Sequence, residues 1–409
     1  MSARRVMAHG VFAALLALVA AAGAIAQAKP AEPRRPGVDG DRNDPKEYYK
    51  LGVKLIDHSP TEAADAFYWA MRLDPGWADA YYGRRTAIEL SDPNRYLLYK
   101  YADRNTRREP DVLAMDSLML RALWLNPFLY EKFEELRVER IIERYARNEG
   151  VAIDEAGTAS NIQARFNNGS HYERAIGAYV AGNFPLALKE WTLLLPAVKV
   201  KFAIHAERGQ LFYMLGSNDS ATAQLTLARD ELEEIEKDSL LPVYLSKAGF
   251  ERQLGLIAEQ QGKTDVAREA YGRALTEDLS YAPAHVALSA MDLAKGDTAG
   301  ALSEMDIAAQ VAPFDGYLAY EYGRALLMAG HDAEALEQLN RAVTIEPYYA
   351  EPHVLIAAIY DQANYSSEAL GAYSAYLQLA NHTDPRVKLI EQRVAKLKMS
   401  TQAQAPTKP

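Results

Sequence analysis

The C-terminal half of the sequence repeats itself every 34 residues. One column of the repeat holds Ala267, Ala301, Ala335 and Ala369. Another holds a bulky residue followed by a small one, namely Leu254-Gly255, Leu288-Ser289, Tyr322-Gly323 and Ile356-Ala357. A fixed period of this length is typical of supersecondary units that bury their apolar faces by stacking on one another. The sequence therefore predicts an elongated array.

Within each repeat, the pattern predicts two antiparallel helices. The small residues fall where two helix backbones approach closely. A larger side chain fills the space beside them, as Tyr271, Met305, Leu339 and Tyr373 do in successive units. The first helix of each unit ends at a residue that tolerates a left-handed backbone, namely Gly262, Gly296, Gly330 and Asn364. Each unit is therefore expected to be a helix–turn–helix.

These columns resemble the tetratricopeptide repeat. The resemblance implies an all-α fold, a right-handed α-solenoid of antiparallel helix pairs (a tetratricopeptide superhelix), with a degenerate N-terminal helical region. Six units are predicted at 168–201, 202–235, 248–281, 282–315, 316–349 and 350–383. A charged amphipathic helix at 384–399 is expected to cap the array. Residues 400–409 are expected to be a disordered tail.

The N-terminal part matches the repeat less well. Ala63, Phe67 and Ala70 fit a second helix, and Gly83 falls where the next unit requires a small residue. Apolar periodicity then predicts a helix pair, Asp111 to Trp124 and Pro127 to Arg147. We therefore expect a disordered linker at 27–43, a degenerate repeat-like region at 44–147 and a second linker at 148–167.

The first 26 residues are typical of a secretory signal. Arg4 and Arg5 precede a short apolar run, and Ala24-Ile25-Ala26 fits a cleavage site. Retention of this segment as a membrane anchor is the alternative. The chain has no cysteine, so disulfides and thiolate metal sites are excluded. Together these features predict a periplasmic or secreted protein, with the bacterial periplasm favoured.

Charge and motifs exclude several functions. The net charge of −10 disfavours nucleic acid as a partner. No phosphate-binding loop, zinc-protease motif or serine-hydrolase elbow is present, so neither catalysis nor a cofactor is predicted. One repeat column holds His171, His205, His285 and His353. Successive repeats hold these rings too far apart to share a metal, so we expect hydrogen-bonded packing residues.

The resemblance also implies a binding groove lined by the first helix of each pair. Projected onto this sequence, the lining residues are Tyr172, Ile176, Tyr179, Gln210, Tyr213, Arg252, Leu256, Tyr320, Arg324 and Asp361. Tyrosine and arginine are frequent binding anchors. We therefore expect the groove to bind a peptide or helix segment of a partner protein.

The predicted function is a non-enzymatic scaffold or adaptor of a bacterial envelope assembly, with any membrane contact indirect. One alternative is a structural homo-oligomer assembled through the N-terminal helices. A second is an enzyme whose site lies in 84–167, where Arg84 and Arg85 begin a group of arginines that could bind an anion. A solvated basic face explains those arginines equally well.

Overall fold

A computed structural model of the chain describes residues 32–96, 109–140, 170–238 and 245–404. Pro36–Pro409 forms one compact unit, and Met1–Arg35 is assigned to another. The described ranges contain eighteen complete α-helices and no β-strand, which confirms the all-α fold class. The predicted signal segment, the 148–167 linker and the end of the C-terminal tail lie outside them.

Five helices make up the N-terminal region, which we define as residues 36–140. They are α1 (Pro45–Leu55), α2 (Pro60–Leu73), α3 (Ala78–Ser91), the short α4 (Pro93–Tyr96) and α5 (Pro110–Leu125). Helix α2 packs against both α1 and α3, and α3 also packs against α5. Residues 134–140 are helical as well.

Twelve helices form the repeat array, two in each predicted unit. They are α6 (His171–Val180), α7 (Phe184–Leu194), α8 (Phe202–Met214), α9 (Asn218–Glu236), α10 (Lys247–Gln260), α11 (Thr264–Glu277), α12 (Ala282–Lys295), α13 (Thr298–Val311), α14 (Gly316–Met328), α15 (Asp332–Ile345), α16 (Glu351–Gln362) and α17 (Ser366–Leu379). Each helix packs most extensively on its partner in the same unit and then on the next unit. Each unit is thus a helix–turn–helix that stacks on the next, as the 34-residue period predicts.

The predicted packing columns are confirmed by close backbone approach. A Cβ atom on Gly255 would lie 2.5 Å from the ring of Tyr271, and one on Gly323 would lie 2.7 Å from Leu339. A Cβ atom on Gly83 would lie 2.6 Å from the ring of Phe67 on the preceding helix, so α2 and α3 also approach closely. Any larger side chain at these glycines would push the helices apart.

The predicted turns are confirmed too. Gly262, Gly296 and Gly330 have φ angles of 70°, 82° and 80°, and Asn364 takes the same left-handed conformation with φ of 63°. Because a left-handed residue carries the backbone out of the helix, each first helix stops there. The second helix then begins within two residues, which keeps the two helices antiparallel and adjacent.

The predicted helix from Pro127 to Arg147 is wrong at its start. The chain leaves α5 at Asn126 and becomes helical again only at Glu134. The Asn126 side chain accepts a hydrogen bond from the Phe128 amide at 3.0 Å. This bond stabilises a non-helical turn at Asn126. Residues 126–133 are thus an irregular connection.

The last helix, α18 (Pro385–Gln404), packs against α17 at the end of the array. Its apolar residues Ile390, Val394 and Leu397 are buried in the same cluster as Tyr376 of α17. The helix also runs past the predicted end at residue 399.

Candidate protein-binding surface

The predicted groove residues lie on the first helices of the repeat pairs. Four of them, Tyr179, Gln210, Tyr213 and Arg252, contact a stretch of the chain's own N-terminal region, residues 123–131, which we call the docked segment. The ring of Phe128 stacks on that of Tyr213, with centroids 3.7 Å apart. The backbone amide of Glu131 donates to the Tyr179 hydroxyl at 3.0 Å. The groove is therefore occupied at these residues.

Side chains of the array bind backbone carbonyls of the docked segment. Gln210 donates to the Leu129 carbonyl at 2.7 Å. Arg252 donates to the carbonyls of Leu123 and Trp124, at 3.1 and 2.5 Å. Leu123 and Trp124 lie in the last turn of α5, where carbonyls lack an intrahelical donor, and Leu129 lies in the irregular connection after it. The array therefore binds this stretch of its own chain through backbone carbonyls.

Aromatic and aliphatic side chains complete this contact. The hydroxyl of Tyr130 donates to the carbonyls of Tyr179 and Val180, at 3.0 and 2.8 Å. Phe128 is buried in one cluster with residues of α9, α10 and α11, and the predicted groove residue Leu256 packs against it. The docked segment thus adds to the apolar core of the array as well as bonding to it.

Helices α2 and α5 make a second contact zone with the later repeats. The ring of Trp69 meets that of Tyr348 edge to face, with centroids 5.0 Å apart. Arg72 forms an ion pair with Glu346, which is half-buried. Arg121 forms another with Asp315, at the turn before α14. These contacts join the N-terminal region to the fourth and fifth repeats.

The beginning of the N-terminal region reaches the end of the array. The Asn43 side chain donates to the Gln378 carbonyl at 2.8 Å, and Asp41 accepts from the His382 amide at 2.6 Å. Residues 41–43 are therefore fixed, although the sequence predicts disorder there. The N-terminal region runs antiparallel to the array, from the last repeat at Asp41 to the first at Glu131.

Three predicted groove residues lie at the later repeats. The ring of Tyr320 meets that of Tyr349, and burial, together with the charge of Glu351, raises its pKa to about 12. Arg324 is exposed and pairs with Glu321 on its own helix. Asp361 accepts hydrogen bonds from Arg393 of the capping helix and from Tyr373. Asp361 therefore holds the cap in place.

The first repeat keeps an open cavity of about 350 Å³. The predicted residues Tyr172, Ile176, Tyr179 and Gln210 line it. Tyr172 is 45% exposed, and its ring meets that of Trp191 edge to face. The cavity is thus where the predicted groove residues meet solvent in the first two repeats.

Acidic residues line the same cavity. Glu207 comes from α8, whereas Glu131 and Glu134 come from the N-terminal region. Burial and the charges of Glu131 and Glu134 raise the pKa of Glu207 to about 8. Glu207 lies one helical turn before Gln210, so helical spacing could have added it to the groove. The other two glutamates reach the cavity only through long-range folding, which no local pattern indicates.

The raised pKa of Glu207 makes stability depend on pH. In the native chain this carboxyl stays protonated between its ordinary pKa of 4.5 and about 8, whereas the unfolded chain ionises. The native state therefore binds more protons in this range, and the free energy of unfolding falls as pH rises through it. We expect the thermal midpoint of Glu207→Gln to fall less than that of the wild type between about pH 5 and about pH 8.

The measurement is a thermal unfolding series across this pH range. Glu131, Glu134 and Tyr179 face the same cavity in both proteins, so the difference between the two series isolates Glu207. If the thermal midpoints of both proteins change equally with pH, the pKa of the Glu207 carboxyl is not raised.

The histidine column is confirmed as hydrogen-bonded packing at three of its four positions. His171, His205 and His285 each bond a side chain nineteen residues later on the second helix of the same repeat, namely Glu190, Gln224 and Glu304. The residue opposite His353 is Ala372, so the fourth ring has no such acceptor. Within the described ranges, no group of three His, Asp or Glu residues could hold a metal ion.

Two of the arginines considered for an anion site, Arg84 and Arg85, lie within the described residues. Arg85 is buried and forms an ion pair with Glu89, at 2.6 Å. The guanidinium of Arg84 lies over the ring of Tyr68, 4.4 Å from its centroid. The other arginines of that group lie outside the described residues.

No family model matches the sequence, and no curated protein matches it. Among solved structures, the chain is similar to the C-terminal part of a TPR repeat-containing protein from Cytophaga hutchinsonii, at 15% identity over 58% of this chain and 96% of that one, with a TM-score of 0.43. It is similar to MamA (AMB-1) at 18% identity, over 47% and 98%, with a TM-score of 0.34.

A third similar structure is YrrB, described as a TPR protein with an unusual peptide-binding site. It matches at 15% identity over 51% of this chain and all of its own length, with a TM-score of 0.38. These identities and TM-scores are low, so the assignment of the fold rests on the helix pairs and their 34-residue spacing.

In the described residues, no helix combines the length and apolarity needed to cross a bilayer.

Proposed function

We propose that this protein is a non-enzymatic interaction scaffold of the bacterial envelope, and that a partner protein binds at the first two repeats. The observation that carries the proposal is that the chain itself covers part of the predicted groove and leaves another part exposed. Tyr179, Gln210, Tyr213 and Arg252 contact the docked segment, whereas Tyr172 remains exposed at a cavity.

The docked segment itself supports peptide binding. Its carbonyls are bound by Gln210, Arg252 and Gln253, and its Phe128 ring is held on Tyr213. The array thus has the side chains needed to hold an irregular segment of polypeptide, and it holds one of its own. An external segment would find the corresponding free surface at the cavity of the first repeat.

Export to the periplasm remains part of the proposal. It rests on the signal-like first 26 residues and on the absence of cysteine from the chain. The absence of catalytic motifs supports a binding role in preference to an enzyme.

The test is a pull-down from envelope extract with residues 27–409 as bait. The variant is Tyr172→Ala with Val200→Ala, two exposed residues that line the cavity. The matched control is Val266→Ala with Leu279→Ala, two exposed apolar residues that do not line it. We expect the cavity variant to lose its partner by about tenfold or more, because exposed aromatic and aliphatic anchors carry much of a binding energy.

Equal capture by the wild type, the variant and the control would mean that the first repeats are not the binding surface. Loss from both variants alike would point to a nonspecific apolar contact. Helicity measured on every bait excludes unfolding as the cause.

The homo-oligomer alternative receives less support. The N-terminal helices that it requires are engaged with the chain's own array, through Trp69, Arg72 and Arg121. A molecular mass that stays at one copy, 45.3 kDa for the full chain, as concentration rises would dismiss it. A mass that rises to two copies would favour it.

A further inference from the structure

The cavity of the first repeat combines apolar walls with carboxylates. Its walls include Ile176, Leu194 and Ile204, and its rim includes the exposed Tyr172 and Val200. Glutamates of two separate regions of the chain add the negative charge. A volume of about 350 Å³ is at the small end of ligand sites, large enough for one long side chain.

Glu207 is the member of this cluster whose carboxyl group lacks a polar partner among the described residues. No hydrogen bond or ion pair reaches it there, and burial together with the charges of Glu131 and Glu134 disfavours its ionised form. Arg137 pairs with Glu134, but no lysine or arginine lines the described part of the cavity. Like charges held together in this way favour a ligand that brings a positive charge.

A second observation also points to a ligand. Trp191 lines the cavity and is only 4% exposed, yet its indole N–H has no hydrogen-bond acceptor among the described residues. A buried donor without an acceptor costs free energy, and such donors are rare in native proteins. An acceptor supplied by a ligand in the cavity would remove that cost.

The ligand chemistry follows from these features. The carboxylates do not converge into a metal site, since no metal-capable group of acidic residues occurs in the described ranges. An organic cation with an apolar stem satisfies both the walls and the charge, as lysine and arginine side chains do. Its backbone carbonyl would supply the acceptor that the indole lacks.

We propose that this cavity binds a lysine or arginine side chain, presented by an apolar segment of the partner protein. This inference rests on the proposed function and names the chemistry of its ligand. The apolar neighbours of the basic residue contact the rim at Tyr172 and Val200, while the cation lies among the glutamates. The net charge of −10 favours the approach of a basic segment.

The test uses fluorine NMR of the full chain labelled with 5-fluorotryptophan. The four tryptophans give separate signals, and Trp191→Phe assigns the one at the cavity. The probe is the capped tripeptide Leu-Arg-Leu at about pH 9, where Glu207 is ionised. Its neutral match is Leu-citrulline-Leu, which has the same shape without the charge.

We expect the arginine peptide to shift the Trp191 signal and to bind at least about tenfold more tightly than the citrulline peptide. Glu207→Gln is expected to remove most of that difference. Glu233→Gln, an exposed glutamate on α9, is the control and should leave it unchanged.

Equal affinities for the two peptides, or a Trp191 signal that does not move, would overturn the inference. A third arm uses hexylamine. If it binds as tightly as the arginine peptide, the ligand is a free amine and the assignment to a partner segment fails. If Tyr172→Ala with Val200→Ala loses the partner in the pull-down while Glu207→Gln keeps it, the proposed function stands and only the cationic ligand is wrong.

Discussion

Replacing Phe128 with alanine is expected to lower the free energy of unfolding by about 3–5 kcal/mol. The ring is 6% exposed, stacks on Tyr213 and belongs to the core cluster shared with α9 and α10. The substitution leaves a cavity and removes the docked segment's main apolar contact with the array. Chemical denaturation monitored by circular dichroism measures the loss.

Phe314→Ala is the matched control. That ring is 88% exposed at the turn before α14, so its removal should change stability by less than about 0.5 kcal/mol. A similar small change for Phe128→Ala would contradict the packing of the docked segment. We also expect Phe128→Ala to increase hydrogen exchange in residues 123–131 more than in α2 or α3, because the contact it breaks is local.

Replacing Glu89 with alanine is expected to destabilise the N-terminal region by about 3–5 kcal/mol. Glu89 is fully buried, and its carboxylate accepts from Arg85 at 2.6 Å and from Arg137 at 2.7 Å. Arg85 is 1% exposed, so the substitution removes an ion-pair partner of a buried guanidinium. Removing one partner of a buried ion pair costs far more than the pair contributes.

Glu109→Ala tests whether burial is the cause. Glu109 also pairs with an arginine, Arg95, but both side chains are exposed. We expect only a small loss of stability there, and one that added salt removes, because water already screens the pair. Equal losses at Glu89 and Glu109 would mean that the Arg85–Glu89–Arg137 cluster is not buried in solution.

The repeat array could be predicted from sequence because its determinants are local. Gly255 and Tyr271 are close in the sequence, about half a repeat apart, and so are Gly323 and Leu339. The same sequence separation recurs from one repeat to the next. The left-handed turn at Asn364 was predictable for the same reason. Each unit reads as a helix–turn–helix without knowledge of any distant contact.

The docking of the N-terminal region could not be predicted in this way. Gln210 and Leu129 are 81 residues apart, and Asn43 and Gln378 are 335 apart. Nothing in the 34-residue period records such contacts. The helix predicted from Pro127 failed for a related reason, because array side chains bind the backbone carbonyls that a helix would have used.

In the candidate site, too, some residues could be predicted from the sequence and others could not. The resemblance to the repeat family implied Tyr172, Ile176, Tyr179 and Gln210, and the structure brings these four together at one cavity. The sequence did not indicate which of the predicted groove residues are covered by the chain's own N-terminal region. The acidic character of the cavity depends on Glu131 and Glu134, which arrive from another part of the chain.

The measurement that tests the account most directly is photo-crosslinking from inside the groove. The photoreactive residue p-benzoylphenylalanine replaces Tyr213, whose ring stacks on Phe128, and peptide mapping then locates the product. We expect an intramolecular crosslink to residues 123–131 at every protein concentration. A crosslink to other residues, to a second copy of the chain, or to nothing would contradict a groove filled by the chain's own N-terminal region.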